Sequence, residues 1–520
     1  MRRTTTAVAL TLALVVAGCA ADPAPGADPG SDAKQSPSGD ASTTEPGPDR
    51  TAATFAHGAS TITVTAHPVA VDGETAVTTL DVALPADATE PVDLGYLFVE
   101  DVTERKGARA VRLVDREART ALPVVRDEAV WASDGALTVE PGDEVTVHTV
   151  HSAPTGDTVD VVLPAVGVVP AVPVVDAAED EDAAQDVDAA RTALGGLPAG
   201  GGRTHELRAF TAGYDAQSSL AVEGEEVTVT LTADVLFAAD EHVLDAQSAQ
   251  VVADVAASIA ADGTTGTIVV AGHTDDVDTD EYNQTLSELR ATSVADALRA
   301  TLGEGHPVET AGYGESQPVA PGTDDASRAA NRRVEISFVT AGTPPTTVPG
   351  EQDASGPPTT DAPTATGDDT VDVAAADGSG TYRVGVASVE RTAVGLRGTL
   401  EVELVDGRGG AVTTLFGTYG EGLSAARGFD SVSTHTGLHE LTLLGATERL
   451  YPLDYETGTG ETDSGTRRIL GDELLVTGPE APGDVLTVSV YWPDPGGDLV
   501  TLDAPGQFRI LDVPVEDETS

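Results

Sequence analysis

The chain has 520 residues, of which 86 are Asp or Glu and only 28 are Lys or Arg, so its formal net charge at pH 7 is −58. Such a charge repels polyanions, which excludes nucleic acid as a partner. The single cysteine excludes an internal disulfide bond. A chain of this length has room for about three folded domains.

The N-terminal segment has the pattern of a bacterial lipoprotein signal. Two arginines precede an apolar stretch over residues 7–17, and residues 16–19 read VAGC. We therefore predict a signal peptide over residues 1–18, cleavage before Cys19 and a diacylglycerol on the Cys19 thiol. No other stretch reaches the ~18 apolar residues of a membrane span, so this lipid would be the sole membrane anchor. The predicted location is the extracytoplasmic envelope, at the outer membrane if the cell has one.

Three segments have the composition of linkers. Residues 19–50 are rich in Ala, Asp, Pro, Gly and Ser, which predicts a disordered tether. Extended chain of this kind spans ~3.1 Å per residue, so the tether would reach up to roughly 90 Å. Residues 176–215 are acidic and then glycine-rich, and residues 341–369 are rich in Pro and Thr. Between these linkers lie three folded units, over residues 51–175, 216–340 and 370–518.

The first and third units have the sequence pattern of all-β domains. Alternating runs such as STITVTAHPVAV at residues 60–71 and VLTVSVYW at residues 485–492 are separated by Gly, Asp and Pro turns. We predict that each unit is an immunoglobulin-like β-sandwich.

The ends of these two units resemble each other. The same spacing recurs in two sets of residues: Gly156, Asp157, Pro164 and Pro173, and Gly497, Asp498, Pro505 and Pro514. This match favours a duplicated domain, with chance similarity between valine- and glycine-rich strands as the alternative.

Neither flanking unit has a pattern typical of catalysis. His148 and His151 lie three residues apart, but no third ligand of suitable spacing follows them. No nucleophile motif is present, and nothing singles out one carboxylate pair among the many acids. We therefore expect no enzymatic activity, no metal and no cofactor.

The central unit combines a buried strand with a long helix. Residues 267–272 form a β-branched run that ends at a glycine, which predicts a strand. From Asp280 onward apolar residues recur at helical spacing, until Gly303 provides a helix C-cap. Asp275 follows the strand, and Arg290 lies about two turns into the helix. Their side chains can therefore face one pocket.

Such a pocket suits a zwitterion. The carboxylate of Asp275 can accept hydrogen bonds from an ammonium group, and the guanidinium of Arg290 can bind a carboxylate through two parallel hydrogen bonds. The alternative is an internal Asp275–Arg290 ion pair that braces the strand against the helix. The acidic run at residues 275–281 also lacks the glycine turn and final glutamate of a calcium loop, so we do not expect a metal there.

Four motifs in this unit occur in a characteristic order. They are GHTDD at residues 272–276, YNQTLSELRA at 282–291, GYGESQP at 312–318 and NRRVEISF at 331–338. In order and spacing the unit resembles an OmpA-like peptidoglycan-binding domain. The resemblance covers about a fifth of the chain and implies a central α/β module of βαβαβ order, flanked by the two all-β domains.

The resemblance also implies a ligand. OmpA-like domains bind the diaminopimelate of uncrosslinked peptidoglycan stems, and Asp275 and Arg290 match the residues that hold its distal amine and carboxylate. Lysine or ornithine stems lack the distal carboxylate, and the sequence leaves the type of stem open.

Further positions match the walls of the family's pocket. Asn283 and Thr274 match lining residues. Arg332, or its neighbour Arg333, matches an arginine near the ligand carboxylates, and of the two we predict Arg332. Asp240 matches a residue at the rim, although the two alanines before it stand where the family often has a polar residue.

These inferences predict a non-enzymatic, lipid-anchored envelope protein whose central module binds peptidoglycan and so ties a membrane to the cell wall. The alternative is an interaction or adhesion protein in which the β-sandwiches bind a partner protein and the central module only anchors it at the wall.

Overall fold

We describe the fold from a computed structural model. It describes residues 50–97, 107–127, 129–134, 137–261, 264, 266–320, 322–340, 356–375, 378–410, 412, 415–416, 427, 437–457, 466–472 and 478–518. Residues 46–520 form one compact unit. The predicted signal peptide, Cys19 and the tether up to residue 49 lie outside the described residues.

The N-terminal domain is built almost entirely of strands. Its elements are β1 (Thr51–Gly58), β2 (Ser60–Ala66), β3 (Val69–Asp72), β4 (Thr75–Ala83), β5 (Val92–Asp93), α1 (Leu94–Leu97), β6 (Arg112–Asp115), β7 (Thr120–Pro123), β8 (Thr138–Val139), β9 (Glu144–Ser152), β10 (Thr158–Leu163) and β11 (Gly167–Asp176). Alternating residues of β2, among them Ile62 and Val64, point into a core that also contains Leu80 and Val161.

Residues 176–340 contain all the remaining helices of the described chain. The elements are α2 (Glu181–Ala193), β12 (His205–Glu206), β13 (Arg208–Gly213), β14 (Ser218–Glu223), β15 (Glu226–Thr232), α3 (Ala233–Leu236), α4 (Ala246–Ala261), β16 (Ile268–Gly272), α5 (Asp280–Leu302), β17 (Val308–Gly312), α6 (Asp325–Asn331) and β18 (Arg333–Val339).

The C-terminal domain is again made of strands. They are β19 (Thr364–Thr366), β20 (Val371–Ala374), β21 (Gly380–Arg391), β22 (Leu396–Gly407), β23 (Thr442–Leu444), β24 (Glu448–Leu450), β25 (Asp454–Thr457), β26 (Thr466–Ile469), β27 (Val485–Trp492), β28 (Leu499–Ala504), β29 (Phe508–Pro514) and β30 (Glu516–Asp517). Trp492 is fully buried in the core, where its indole N–H donates to the Leu441 carbonyl at 2.7 Å.

The two flanking domains share one topology. In the first domain, neighbouring strands pair in the order β7-β6-β10-β11-β3-β4-β9. In the second domain, one set of strands pairs in the order β24-β23-β28-β29, and a second set pairs in the order β30-β21-β22-β27. The ladder has a bulge between Val159 and Val161 in the first and between Val500 and Leu502 in the second. The two bulges are separated by the same number of residues as Gly156 and Gly497, so the structure supports a duplicated domain.

The first predicted linker between domains contains regular structure. Asp180 caps α2 by accepting a hydrogen bond from the amide of Ala183, and the apolar side of α2, which includes Val187 and Ala190, packs on the N-terminal domain. Acidic residues on the exposed side of α2 gave the segment its linker-like composition. In the predicted 341–369 linker, residues 341–355 lie outside the described chain, and β19 lies in its second half.

The chain from His205 to Gly213 joins the three units. β12 pairs with β7 of the N-terminal domain, and β13 pairs with β24 of the C-terminal domain. These are equivalent edge strands of the two duplicated domains. β1 also pairs with β27 through His57 and Gly58. The units therefore share continuous sheets, because backbone groups at each edge find partners in the next unit.

The central module has the predicted strand and helix. Strands β14, β15, β18, β16 and β17 form a sheet, and α4 and α5 cover one face of it. Gly272 and Gly312 are register neighbours in this sheet. A Cβ on Gly272 would lie 2.2 Å from the Ser287 carbonyl oxygen, so the two glycines allow α5 to pack directly on the strands. Among the described residues, no helix is long and apolar enough to span a membrane.

Candidate functional site

A cavity of about 570 Å³ opens beyond the end of β16, between α5 and the loop that follows α3. All the site residues predicted from the sequence line it: Asp240, Thr274, Asp275, Asn283, Arg290 and Arg332. The structure therefore brings together side chains from four separate segments of the chain.

Asp275 is held in place by two hydrogen bonds. Its Oδ2 accepts from Nη1 of Arg332 at 2.8 Å, and its Oδ1 accepts from the amide of Val277 at 3.3 Å. The Asp275 side chain remains 14 % exposed. The internal Asp275–Arg290 ion pair, the alternative raised by the sequence, is not formed, because the arginine paired with Asp275 is Arg332.

Arg290 is a buried cation whose two terminal guanidinium nitrogens have no partner among the described residues. Its Nε donates to the Glu241 carbonyl at 3.0 Å, and its guanidinium carbon lies 5.4 Å from the centre of the Phe237 ring. Burial lowers the pKa of Arg290, and the carboxylates of Asp234 and Asp240 oppose that shift. Among the described residues, the two terminal nitrogens make no hydrogen bond, so they are available to a carboxylate.

Arg332 is already bound by two carboxylates. Its Nη2 and Nε donate to the two oxygens of Asp234 at 2.7 and 3.1 Å, and its Nη1 donates to Asp275. The Asp234 hydrogen bond raises the pKa of Arg332, and Arg332 in turn lowers the pKa of Asp234. Arg333, the other candidate of the pair, instead binds Glu335 at 2.6 Å.

Asp234 was missed in the sequence. It lies in the four-residue helix α3, directly after β15, and the motifs do not include it. A position next to the opening strand of the module is the only signal that could have indicated it. In the structure it borders the cavity and has a side chain 61 % exposed.

Asn283 and Thr274 differ in whether their side chains have hydrogen-bond partners. The amide of Asn283 donates to the Val277 carbonyl and to Glu315, both at 2.7 Å, and so fixes the loop that carries Asp275. The buried hydroxyl of Thr274 has no hydrogen-bond partner among the described residues. Asn283 is therefore bound within the site, whereas the Thr274 hydroxyl is buried and unpartnered within the described part of the chain.

Two aspartates at the edge of the cavity have left-handed backbones. Asp240 has φ 59° and Asp278 has φ 78°. Among non-glycine residues, aspartate is one of those that adopt this conformation most readily. Asp276, beside the cavity, pairs with Arg328 at 2.6 Å, and no cluster suited to a metal ion is present within the described part of the chain.

The lining of the cavity contains more carboxylates than guanidinium groups. Its lining contains the carboxylates of Asp234, Asp240, Asp275 and Asp278 and the guanidinium groups of Arg290 and Arg332. Because Arg332 is bound to two of the four carboxylates, Arg290 is the cation that remains open. The cavity of this α/β module therefore suits a small group that carries an ammonium and one anionic or polar acceptor.

Comparison with known proteins gives the family of the central module. The model of the OmpA family matches residues 236–332. The peptidoglycan-associated lipoprotein of Pseudomonas putida is 34 % identical over 149 residues, which cover 28 % of this chain and 88 % of that protein. Outer membrane porin F of Pseudomonas aeruginosa is 57 % identical over 67 residues, or 13 % of this chain and 19 % of that protein.

Two further proteins are similar to part of the chain. The peptidoglycan-associated lipoprotein of Legionella pneumophila is 41 % identical over 71 residues, which cover 14 % of this chain and 40 % of that protein. The solved structure of the cell wall anchor of the T6SS from Pseudomonas aeruginosa is 30 % identical, with 24 % of this chain and 88 % of that one covered and a TM-score of 0.22. The chain thus spans less than half the length of porin F and of the Legionella lipoprotein.

The chain belongs to the OmpA family, through a domain at residues 236–332. Asp275, Asn283, Arg290 and Arg332 all lie within these residues.

Proposed function

We propose that the central module binds the stem peptides of peptidoglycan without forming a covalent bond, and thereby attaches a lipid-anchored envelope protein to the cell wall. The observation that carries the proposal is the open guanidinium of Arg290, which faces the same cavity as the carboxylate of Asp275. The names of the Pseudomonas putida and Legionella relatives support the choice of polymer.

The end of a diaminopimelate side chain fits these groups. Its ammonium would donate to Asp275, and its carboxylate would accept from the free nitrogens of Arg290. A hydrogen bond to a charged group contributes about 1.5–3 kcal/mol. Four carboxylates face only two guanidinium groups in the lining. The ammonium should therefore contribute more to affinity than the carboxylate.

Alanine variants test this proposal in the compact unit, residues 46–520. Asp275→Ala and Arg290→Ala should each abolish sedimentation with purified sacculi of the diaminopimelate type. The exposed pair Asp296 and Arg299, which lies at the far end of α5, provides matched controls. Asp296→Ala and Arg299→Ala should sediment like the unchanged protein. Equal sedimentation of all four variants would refute the proposal.

The type of stem is tested with the same protein. Calorimetry with diaminopimelate and lysine tripeptide stems should show tighter binding of the first, because only its distal carboxylate can engage Arg290. The Arg290→Ala variant should bind both stems with the same weak affinity.

The lipid anchor is tested separately, since Cys19 lies outside the described residues. Cells that express the full chain should incorporate labelled fatty acid into it and retain it in the membrane fraction. A Cys19→Ala variant should lose the label and leave that fraction. A labelled Cys19→Ala protein would refute the anchor.

The second candidate function assigns a protein partner to the flanking domains, which we propose to be immunoglobulin-like sandwiches. The observation that favours it is the duplication, which gives the protein two domains of the same strand order. Crosslinking in cells with Asp275→Ala would separate the two functions. A partner captured equally with and without the substitution would belong to the flanking domains.

A further inference from the structure

A second cavity, of about 670 Å³, lies on the opposite face of the module's sheet from α4 and α5. The alternation of β15 accounts for its floor. Val227, Val229 and Leu231 point into the core, while the alternate residues Thr228 and Thr230 line the cavity. Ser219 of β14 adds another hydroxyl. The floor is therefore rich in hydrogen-bonding groups.

The walls of this cavity come from two domains. On one side α6 contributes the small side chains of Ala326, Ala329 and Ala330. On the other side Arg467, from β26 of the C-terminal domain, reaches the cavity. The groove therefore depends on the pairing of β13 with β24, which brings the C-terminal domain to the edge of the module.

The arginines of the groove are already neutralised. Arg333 binds Glu335 at 2.6 Å, Arg467 binds Glu223 at 3.0 Å, and Arg208 binds the buried Asp454 of the C-terminal domain at 2.8 Å. Further carboxylates, Asp215 and Glu226 among them, also line the groove. An anionic ligand would meet no open cation there. Neutral hydroxyl and amide groups could instead donate to the carboxylates and exchange hydrogen bonds with the threonines.

Asp234 connects the two cavities. It lines both of them, and its exposed carboxylate forms the edge between the groove and the stem site. A polymer that places one group in the stem site can therefore continue across Asp234 into the groove.

We propose that the groove binds the neutral sugar units to which the stem peptide is attached. This inference rests on the proposed function. Two amino acids separate diaminopimelate from the sugar, a span of about 10 Å in extended chain. N-acetylated sugars supply hydroxyl and amide groups without net charge, and the groove volume lies within the range of roughly 300–1,000 Å³ found for small-ligand sites.

Calorimetry with residues 46–520 tests the inference with two ligands, a diaminopimelate tripeptide and the same tripeptide attached to its disaccharide. The disaccharide form should bind about tenfold more tightly, as expected for a few added hydrogen bonds. Ala326→Trp on the α6 wall and Ser219→Trp on the floor each fill the groove, so each should remove this gain and keep the affinity for the tripeptide. Ala257→Trp, on an exposed position of α4, is the matched control and should retain the gain.

The outcomes separate the two proposals. If the unchanged protein binds both ligands equally, or if both groove variants retain the full gain, the groove is not a sugar site. If neither ligand binds, the proposed function fails and the sugar site fails with it. Circular dichroism of each tryptophan variant establishes that it is folded. The two groove variants lie on different elements, α6 and β14, so a local misfolding of one element leaves the other variant as a test.

Discussion

Replacing Asp275 with asparagine tests the contact between this side chain and the ligand amine. The substitution keeps the size of the side chain and removes its charge. In the free protein, Asp275 is bound to Arg332, but Arg332 retains both hydrogen bonds to Asp234. Both partners of the Asp275–Arg332 pair are partly exposed, so the loss of stability should be at most about 1 kcal/mol.

The loss of affinity should be larger than the loss of stability. A charge-assisted hydrogen bond between the ammonium and Asp275 is worth about 1.5–3 kcal/mol, which corresponds to a factor of roughly 10 to 150 in Kd. Acetylation of the ligand's distal amine removes the same contact from the other side. In the unchanged protein, acetylation should therefore weaken binding by a similar factor.

Calorimetry of both proteins with both ligands completes a double-mutant cycle. If Asp275 binds the amine, acetylation should cost little further affinity in Asp275→Asn, because the contact is already lost. If acetylation weakens binding by the same factor in both proteins, the amine does not contact Asp275 and the proposed orientation of the ligand is wrong. A thermal melt of Asp275→Asn serves as the control for folding.

Three further predictions concern the scaffold. Burial alone would lower the pKa of His67, but hydrogen bonds to Asp186 and Asp81 raise it to about 9. The protonated His67 therefore stabilises the fold fully below the unfolded pKa of about 6.5, and this stabilisation is lost as pH rises through about 9. Urea denaturation midpoints should show the loss in the unchanged protein but not in His67→Gln. Asp454→Ala leaves Arg208 and Arg467 without their buried partner, so it should destabilise the fold by about 3–5 kcal/mol in urea denaturation, whereas the exposed Asp372→Ala should cost under about 1 kcal/mol. Gly272→Ala would force α5 away from β16 and should cost about 1–3 kcal/mol and weaken stem binding, unlike Gly305→Ala, whose added methyl would meet no atom within 4 Å.

The grouping of the candidate side chains around one cavity could be predicted from the sequence because its signals are local. A glycine-ended strand and a capped helix placed Asp275 and Arg290 near each other, and the structure puts both in one cavity. The partner of Asp275 could not be predicted in the same way. Arg332 lies 57 residues further along the chain, and Asp234 belongs to no motif.

The contacts between the units could not be predicted from composition, for a physical reason. Composition identified the acidic 176–215 segment by its exposed side chains, but a few apolar residues on one side of α2 are sufficient to dock it. Edge pairing is equally hard to predict, because backbone hydrogen bonds between β13 and β24 join residues more than 200 positions apart without any side-chain signal.

The duplication explains how the module is held between its neighbours. Since β12 and β13 follow each other closely and pair with equivalent edges of two similar domains, one short stretch of chain attaches to both. β13 pairs with β14, β14 with β15, and β15 with β18. β18 begins at Arg333, directly after Arg332 of the candidate site. A force on the central module would cross this sheet through several rows of backbone hydrogen bonds, supported by the buried Arg208–Asp454 pair. We therefore expect the flanking domains to hold the candidate site in a fixed position.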